Sequence, residues 1–366
     1  MANRPKRPGS FRIRLGVALT LLAGSLMFAL VNTGPPAVND PHTAVVPARV
    51  QPAFPQPIRG KAVRSKVIEL MGMDAIPPRE IQYSTGETAR TDDGLLRTPV
   101  TFVNSLGETV PGILLVPAGA SPGSLAGVVC MPGTSGDAER LTEQRFHRDQ
   151  PDKGPLRGWA RELSRRGFAT LSFTLKGTVA RRRNLDEWET EAKLLAPYGR
   201  PQMGILAEEA LRAARVLGAQ KQVDPARVGL TGFSLGSYAS WWAMACDPSI
   251  RTAAILCGGL GSLARDIHEG NPDRHSSCHY IPGLLRHFDH PEIVADCVAP
   301  RPLMMLAPLR DPDMAASGVD QLVDLVSPVY RKAGRSHLFQ VHRPDDGHVF
   351  RVEYFNWMAK WFEEQL

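Results

Sequence analysis

Val228-Gly-Leu-Thr-Gly-Phe-Ser-Leu-Gly-Ser237 begins as a short apolar run, breaks at a glycine-flanked serine, and continues as the helical pattern Tyr238 to Ala245. A strand that turns abruptly into a helix around G-x-S-x-G has a physical requirement. The serine is held in a strained conformation at the tip of the turn, so its neighbours must be too small to collide. Gly232 and Gly236 meet that requirement, and Ser237 just beyond is also small. Ser234 is therefore the candidate nucleophile. At a helix N-terminus it also faces the partial positive charge that favours a developing oxyanion. With thirty-three glycines in the chain the five-residue pattern alone could arise by chance. The strand before it and the helix after it give it meaning.

Working outward, apolar runs alternate with helical patterns. Gly112 to Val116, Ala126 to Met131, Phe168 to Phe173, Thr252 to Leu256 and Pro302 to Leu306 read as strands, and 338 to 342 as another. Residues 157 to 166, Ile205 to Leu217 and Tyr354 to Phe362 read as helices. Such alternation predicts an α/β fold with a mostly parallel central sheet and helices on both faces. In that architecture the chemistry sits beyond the C-terminal ends of the strands. The segments 134 to 158, 176 to 203 and 258 to 300 read as the loops that build a pocket there.

A serine hydroxyl needs a base, and the base needs an acid to orient it. The expected chain order is serine, acid, histidine. The strand ending at Leu306 runs into Ala-Pro-Leu-Arg-Asp311-Pro-Asp313, which nominates Asp311 as the acid with Asp313 as its competitor. His348, on the loop before the last helix, is the candidate base; His337 and His342 are less suited, His342 because it falls in a strand. An oxyanion hole needs two backbone N–H donors. Leu235, following the serine, supplies one, and Thr134 in Met131-Pro-Gly-Thr134 the other, since Pro132 has no N–H and Gly133 permits a close approach. This chemistry calls for no cofactor and no metal.

The net charge of +6 would suggest a nucleic-acid partner were it spread along the chain. Arg4, Lys6, Arg7, Arg12 and Arg14 instead all precede residue 15, leaving 38 basic against 37 acidic residues elsewhere. Nucleic acid is therefore not an expected partner. Those cations lead into Leu15 to Val31, seventeen residues without a charge, the pattern of a signal peptide or signal anchor over residues 1–31. It would export the protein, or tether it to a membrane through residues 15–31 with the basic end inside. Residues 32–60 carry seven prolines and read as an extended linker, and the folded domain is expected over 61–366. Cysteine is too sparse, at five, for a disulfide scaffold, although Cys278 and Cys297 are candidates for one bridge in an exported protein. Cys130, Cys246 and Cys257 read as buried thiols.

Some clusters invite chemistry that their spacing does not support. His268, His275, His279, His287 and His290 with Cys278 match no standard zinc pattern and read as part of a pocket insertion. Arg181, Arg182 and Arg183 could meet an acidic substrate such as a uronate, but Asp186, Glu187, Glu189 and Glu191 nearby favour a solvated mixed-charge face. Trp241 and Trp242 read as core.

The body resembles an α/β-hydrolase of the dienelactone hydrolase and bacterial acetyl xylan esterase-like branch. The resemblance is carried by Val110 to Pro117, Pro132-Gly133, Val223 to Ser237, Ala299 to Met304 and Gly347-His348, in that family's order. The sequence departs from the family at Pro132-Gly133, where His-Gly is frequent, and in the loop holding Asp311, which lacks the usual Gly-x-x-Asp. The resemblance implies hydrolysis of carboxylic esters through Ser234, Asp311 and His348. Substrates would be small-molecule esters of short-chain, acetyl or lactone type, acetylated carbohydrates among them. A serine peptidase of the prolyl-oligopeptidase kind shares the catalytic fold, and a non-catalytic relative would keep the fold without the chemistry.

Overall fold

The computed structural model describes residues 57–148 and 155–366. The segment read as a leader or anchor, 1–31, and nearly all of the Pro-rich stretch lie outside the described residues. Among those described, no helix is long and apolar enough to cross a membrane. Ile58 and Arg59 already engage the body, through a hydrogen bond from the Ile58 amide to the His287 carbonyl at 3.1 Å and the Arg59–Asp296 ion pair at 2.6 Å. Helix α1 follows at Lys61–Leu70.

The chain then lays down β1 (Tyr83–Thr85), β2 (Ala89–Arg90), β3 (Leu95–Val103), β4 (Thr109–Pro117) and β5 (Leu125–Met131). After helix α2 (Ala138–Leu141), β6 (His147–Arg148) and β7 (Leu156–Arg157) form a separate small ribbon. Then come α3 (Trp159–Arg165), β8 (Ala169–Phe173), α4 (Leu185–Leu195), α5 (Gln202–Gly218), β9 (Val223–Phe233), α6 (Leu235–Cys246) and β10 (Thr252–Leu256). The rest is α7 (Leu263–Glu269), α8 (His290–Ile293), β11 (Leu303–Leu306), α9 (Ala316–Lys332), β12 (Phe339–His342) and α10 (Val352–Gln365).

The main sheet runs β1-β3-β4-β8-β5-β9-β10-β11-β12, with β2 attached to β3. From β8 to β12 every pairing is parallel. The other end is antiparallel. β3 and β4 are joined by a tight turn at Asn104–Glu108 and pair from Leu95↔Pro117 to Val103↔Thr109, a connection too short for a parallel crossover. The expected parallel sheet covered on both faces is therefore present from β8 onward. Its central strands are buried throughout because helices cover them on both sides: all five residues of β8 and of β10 are buried, the small polar Thr170, Ser172 and Thr252 among them. α6 is buried around its whole circumference and carries the stacked Trp241–Trp242 pair into the core, ring centroids 4.0 Å apart. α10, with Trp361 and Phe362, covers the opposite face.

All three regions expected as loops contain helical residues: α2 lies within 134–158, and the two longer regions hold more. α4 lies within 176–203, and α7, α8 and several short turns occupy 258–300. Asp289, buried, organises the last of these regions. Its carboxylate accepts from Ser262 Oγ at 2.7 Å, the Leu263 amide at 2.8 Å and the His290 amide at 2.6 Å, so one side chain serves the starts of both α7 and α8.

Candidate active site

Ser234 stands at the junction of β9 and α6 with φ 53° and ψ −119°, one of two non-glycine residues of positive φ among those described. The turn survives this strain because everything around it is packed against it. The Ser234 amide donates to the Leu256 carbonyl on β10 at 3.0 Å, and its carbonyl accepts from the Ser237 and Tyr238 amides. The flanking glycines are required by contact. A Cβ on Gly232 would lie 2.3 Å from the Gly236 carbonyl carbon, and one on Gly236 would lie 2.5 Å from the Met131 carbonyl oxygen.

The loop after β5 comes up to this turn. Gly133 sits so close that a Cβ there would be 3.3 Å from Ser234 Cβ. Thr134 follows and lines the same cavity as Ser234. Neither the Thr134 amide nor the Leu235 amide donates to another described residue. Both predicted oxyanion donors are thus beside Ser234 with their N–H groups uncommitted.

His348 Nδ1 lies 3.0 Å from each carboxylate oxygen of Asp311 and 3.2 Å from Oδ2 of Asp313. The two candidate acids therefore face the same nitrogen. Asp311 is the more enclosed, its side chain without exposed surface, and it also accepts from the Asp313 amide at 3.0 Å. Asp313 is shared with Arg274, which donates to its Oδ1. Burial pulls the His348 pKa down. The hydrogen bond to Asp311 and the charges of Asp311 and Asp313 outweigh it, and the net shift is upward from 6.5. The ring is flanked by Phe233, centroids 4.9 Å apart, and Phe233 stacks on Phe350. The loop carrying His348 is held by Asp346, which accepts from the Gly347 amide at 3.0 Å and from Tyr354 Oη at 2.9 Å.

Ser234 and His348 open on a cleft of about 460 Å³, and a second hollow of about 450 Å³ shares part of its border. Thr134, Arg182, Ser234, Arg274 and Asp313 border both. Trp159, Leu141 and Phe350 line the first; Trp188, Tyr238 and His279 line the second.

The sequence marks 258–300 as a pocket insertion, and residues 273–276 and 279 do line the second hollow, but its hold on the acid loop is not legible there. Arg274 holds Asp313, His275 Nε2 is 2.7 Å from the Asp313 carbonyl, and Asp266 accepts from the Ala315 amide at 2.7 Å. The loop bearing both acids is therefore gripped by the insertion at three points. Cys257 lies beneath the pair, its Sγ within 4.8 Å of ligand atoms of Asp311 and His348. Burial pushes its thiol well above 9.0. The histidines of the insertion serve separate ends. His290 packs edge-on against Trp241 and Trp242, His279 lies against Tyr238, and His275 Nδ1 is 3.1 Å from Tyr280 Oη. Cys278 and Cys297, candidates for a bridge, are both free buried thiols. They are held apart in different surroundings: Cys278 lies 2.9 Å from Ser276 Oγ, while the Cys297 carbonyl accepts from Arg64 and Arg301.

The three arginines do not share one solvated face as expected. Arg183 does lie there, paired with Glu187 at 2.6 Å. Arg181 turns inward instead, to the fully buried Glu209 at 2.8 Å and to Glu108 at 3.3 Å. Arg182 borders the cleft. A shared charge signature hid three different environments, because adjacent residues in an irregular loop point in different directions.

Comparison with known proteins agrees with this architecture. Over 302 residues the chain is 26% identical to YtaP of Bacillus subtilis (strain 168), covering 81% of this chain and 98% of that protein. The acetyl xylan esterase from Paenibacillus sp. R4 superposes with a TM-score of 0.61 at 18% identity, over 88% of this chain and 100% of that one. The glucuronoyl esterase from Solibacter usitatus gives 0.59 at 16%, over 88% and 99%. The sequence profile of the Abhydrolase family matches residues 105–359, well over half of the chain and all of the elements that bear Ser234, Asp311 and His348. The protein therefore belongs to the Abhydrolase family and has the α/β-hydrolase fold.

Proposed function

We propose that this protein is a serine hydrolase of carboxylic esters, with Ser234 as nucleophile, His348 as base and Asp311 as the acid that orients it. The single observation that carries the reading is the convergence at one cleft of a strained serine and a histidine whose far nitrogen is bound by a buried carboxylate. His348, holding its Nδ1–H on Asp311, takes the Ser234 proton through Nε2. Ser234 Oγ attacks the ester carbonyl, and the oxyanion is met by the Leu235 and Thr134 amides. Collapse expels the alcohol, which takes the proton back from His348, and leaves an acyl-enzyme. Water activated by the same histidine then releases the acid and restores the serine.

Asp311 is preferred to Asp313 because it presents both oxygens to Nδ1 and is not divided with an arginine. The likeness to an acetyl xylan esterase and a glucuronoyl esterase supports esters, acetylated carbohydrates included, as the substrate class. Residues 1–31 would export the chain or anchor it, residues 32–60 would link, and 61–366 would carry the activity. Hydrolysis of 4-nitrophenyl acetate by the full chain, beside Ser234→Ala, tests the reading. Turnover and fluorophosphonate labelling that both vanish in the variant are the expected result. Turnover unchanged by the substitution would refute it, and labelling with cleavage of peptides but not esters would favour a peptidase.

A further inference from the structure

Every carboxylate bordering the cleft has its own partner. Asp313 serves Arg274 and His348, Glu189 accepts from the Ser277 amide at 3.1 Å and from Ser277 Oγ, and Asp273 is likewise engaged. Arg182 is different: it makes no hydrogen bond or ion pair with any described residue, and like Ser234 it borders both hollows. Its position is fixed by its neighbours. Arg181 donates to the Thr174 carbonyl at 3.0 Å and to Glu209, and the Val179 amide donates to the Thr134 carbonyl at 2.9 Å. The stretch is thereby tied to the oxyanion loop, and the uncommitted charge at the cleft is positive.

A second observation also points to a missing partner. His279, in the hollow beside Tyr238, has both ring nitrogens buried without a hydrogen-bond partner. Burial drives its pKa well below 6.5, so the ring is neutral, with one N–H to donate and one lone pair to accept. A buried polar atom left unanswered is costly, and a turn of the ring that brings one nitrogen to a polar ligand in the hollow removes that cost.

We propose that the ester this site takes carries a carboxylate, bound by Arg182, on the part of the molecule that enters the hollow over His279. The inference rests on the ester-hydrolase reading and narrows it to anionic esters. A guanidinium offers a carboxylate two parallel N–H donors, and each such charge-assisted bond outweighs a neutral one. The carboxylate could belong to the alcohol or to the acyl group, so the test carries one arm for each.

In the first arm, kcat/KM for 4-acetoxybenzoate is divided by that for its methyl ester. In the second, mono-4-nitrophenyl adipate is divided by 4-nitrophenyl hexanoate. In the parent enzyme one of these ratios, expressed relative to the same pair in Arg182→Gln, is expected to be about tenfold or larger. It should fall with added salt, as an accessible charge contact must. Arg182→Lys keeps a point charge and should keep part of the ratio, while Arg182→Glu should turn the preference toward 4-acetoxyphenyl trimethylammonium. That reversal is a gain no unfolded variant could show. Ratios that are the same in the parent and all three variants would overturn the proposal while leaving the ester-hydrolase reading intact. Binding of adipate and 4-hydroxybenzoate to Ser234→Ala, with and without Arg182→Gln, gives an answer that needs no turnover. Affinity that does not depend on Arg182 for either anion would overturn it equally.

Discussion

Asp311 and Asp313 stand at 3.0 and 3.2 Å from the same nitrogen of His348, and replacing each by asparagine should have unequal consequences. A unit charge at that separation is worth about 1.3 kcal/mol in water and about 5 kcal/mol at an effective dielectric of about 20. For Asp313 the net effect lies toward the lower figure, because Arg274 already draws on its carboxylate and sets a positive charge against the imidazolium. That corresponds to roughly one pKa unit on the histidine. The sign follows from the base being active when neutral. The His348 pKa lies above 6.5, so kcat/KM falls as pH drops through that raised value. Asp313→Asn removes an anion that favours the imidazolium and should move the midpoint down by roughly one unit, with little loss on the alkaline plateau. Asp311→Asn removes the acceptor that holds the proton on Nδ1 and lets the wrong tautomer compete. Its plateau should fall on the order of 10³ to 10⁴-fold, by analogy with the same change in a well-studied serine protease. Arg274→Gln is the control, since that charge opposes the imidazolium and its loss should raise the midpoint. The assay is the pH profile of kcat/KM for a neutral ester in all four proteins. If Asp313→Asn costs as much on the plateau as Asp311→Asn, the assignment of the acid is wrong. If neither changes plateau or midpoint, the role of His348 falls with it.

Four other expectations follow from packing and burial. Gly236→Ala places a methyl 2.5 Å from the Met131 carbonyl oxygen, in backbone that cannot yield, and should cost at least about 3 kcal/mol in a urea titration. Gly133→Ala meets Phe233 and Ser234 at the milder distances of 3.2 and 3.3 Å; it should fold, yet lose about tenfold to a hundredfold in kcat as the Thr134 amide is displaced. The five buried cysteines should react with a thiol reagent only after unfolding, and then all five without reductant; a count of three would reveal a bridge. Asp266 is pushed up to about 8 by burial, so the folded state holds its proton more tightly than the unfolded chain does. That stability is present at low pH and is lost as pH climbs from the ordinary carboxylate range to about 8. Asp266→Asn, which keeps an acceptor for the Ala315 amide, should flatten the decline of Tm across that window; an unchanged slope would count against the burial argument.

The elbow was legible in the sequence because its requirements are local: a buried run, glycines at fixed offsets and a helix behind them lie within twenty residues. Elements with little apolar patterning were not. α4 buries only Trp188, so no stripe recurs along it, and its surviving signal is the Asn184 cap on the Glu187 amide at 2.8 Å. β3 carries Pro99 at its centre, which argues against a strand, yet it pairs along its full length with β4. α9 does carry a stripe, Val319, Leu322, Val326 and Tyr330, but Pro328 within it argues against a helix. At the site, order along the chain nominated serine, acid and histidine, but could not separate two aspartates two residues apart. Both reach Nδ1 because the loop between them turns, with the Asp313 amide bonded back onto Asp311.

The insertion links the two properties that the fold leaves free to vary. Its Arg274 and His275 hold the Asp313 end of the acid loop, while His275 also borders the hollow whose wall includes His279. The residues that shape what enters the cleft are thus mechanically continuous with those that set the charge on His348. A change of lining in this segment cannot be confined to the pocket wall: moving Arg274 or His275 alters the electrostatic surroundings of His348 as well. Arg182 is positioned through Arg181 and Glu209 and makes no hydrogen bond or ion pair with Asp311 or His348, so on the proposed reading its replacement would alter substrate preference with little effect on His348. The insertion and the Arg182 position therefore differ in what their variation costs: only the insertion holds the loop that carries both aspartates.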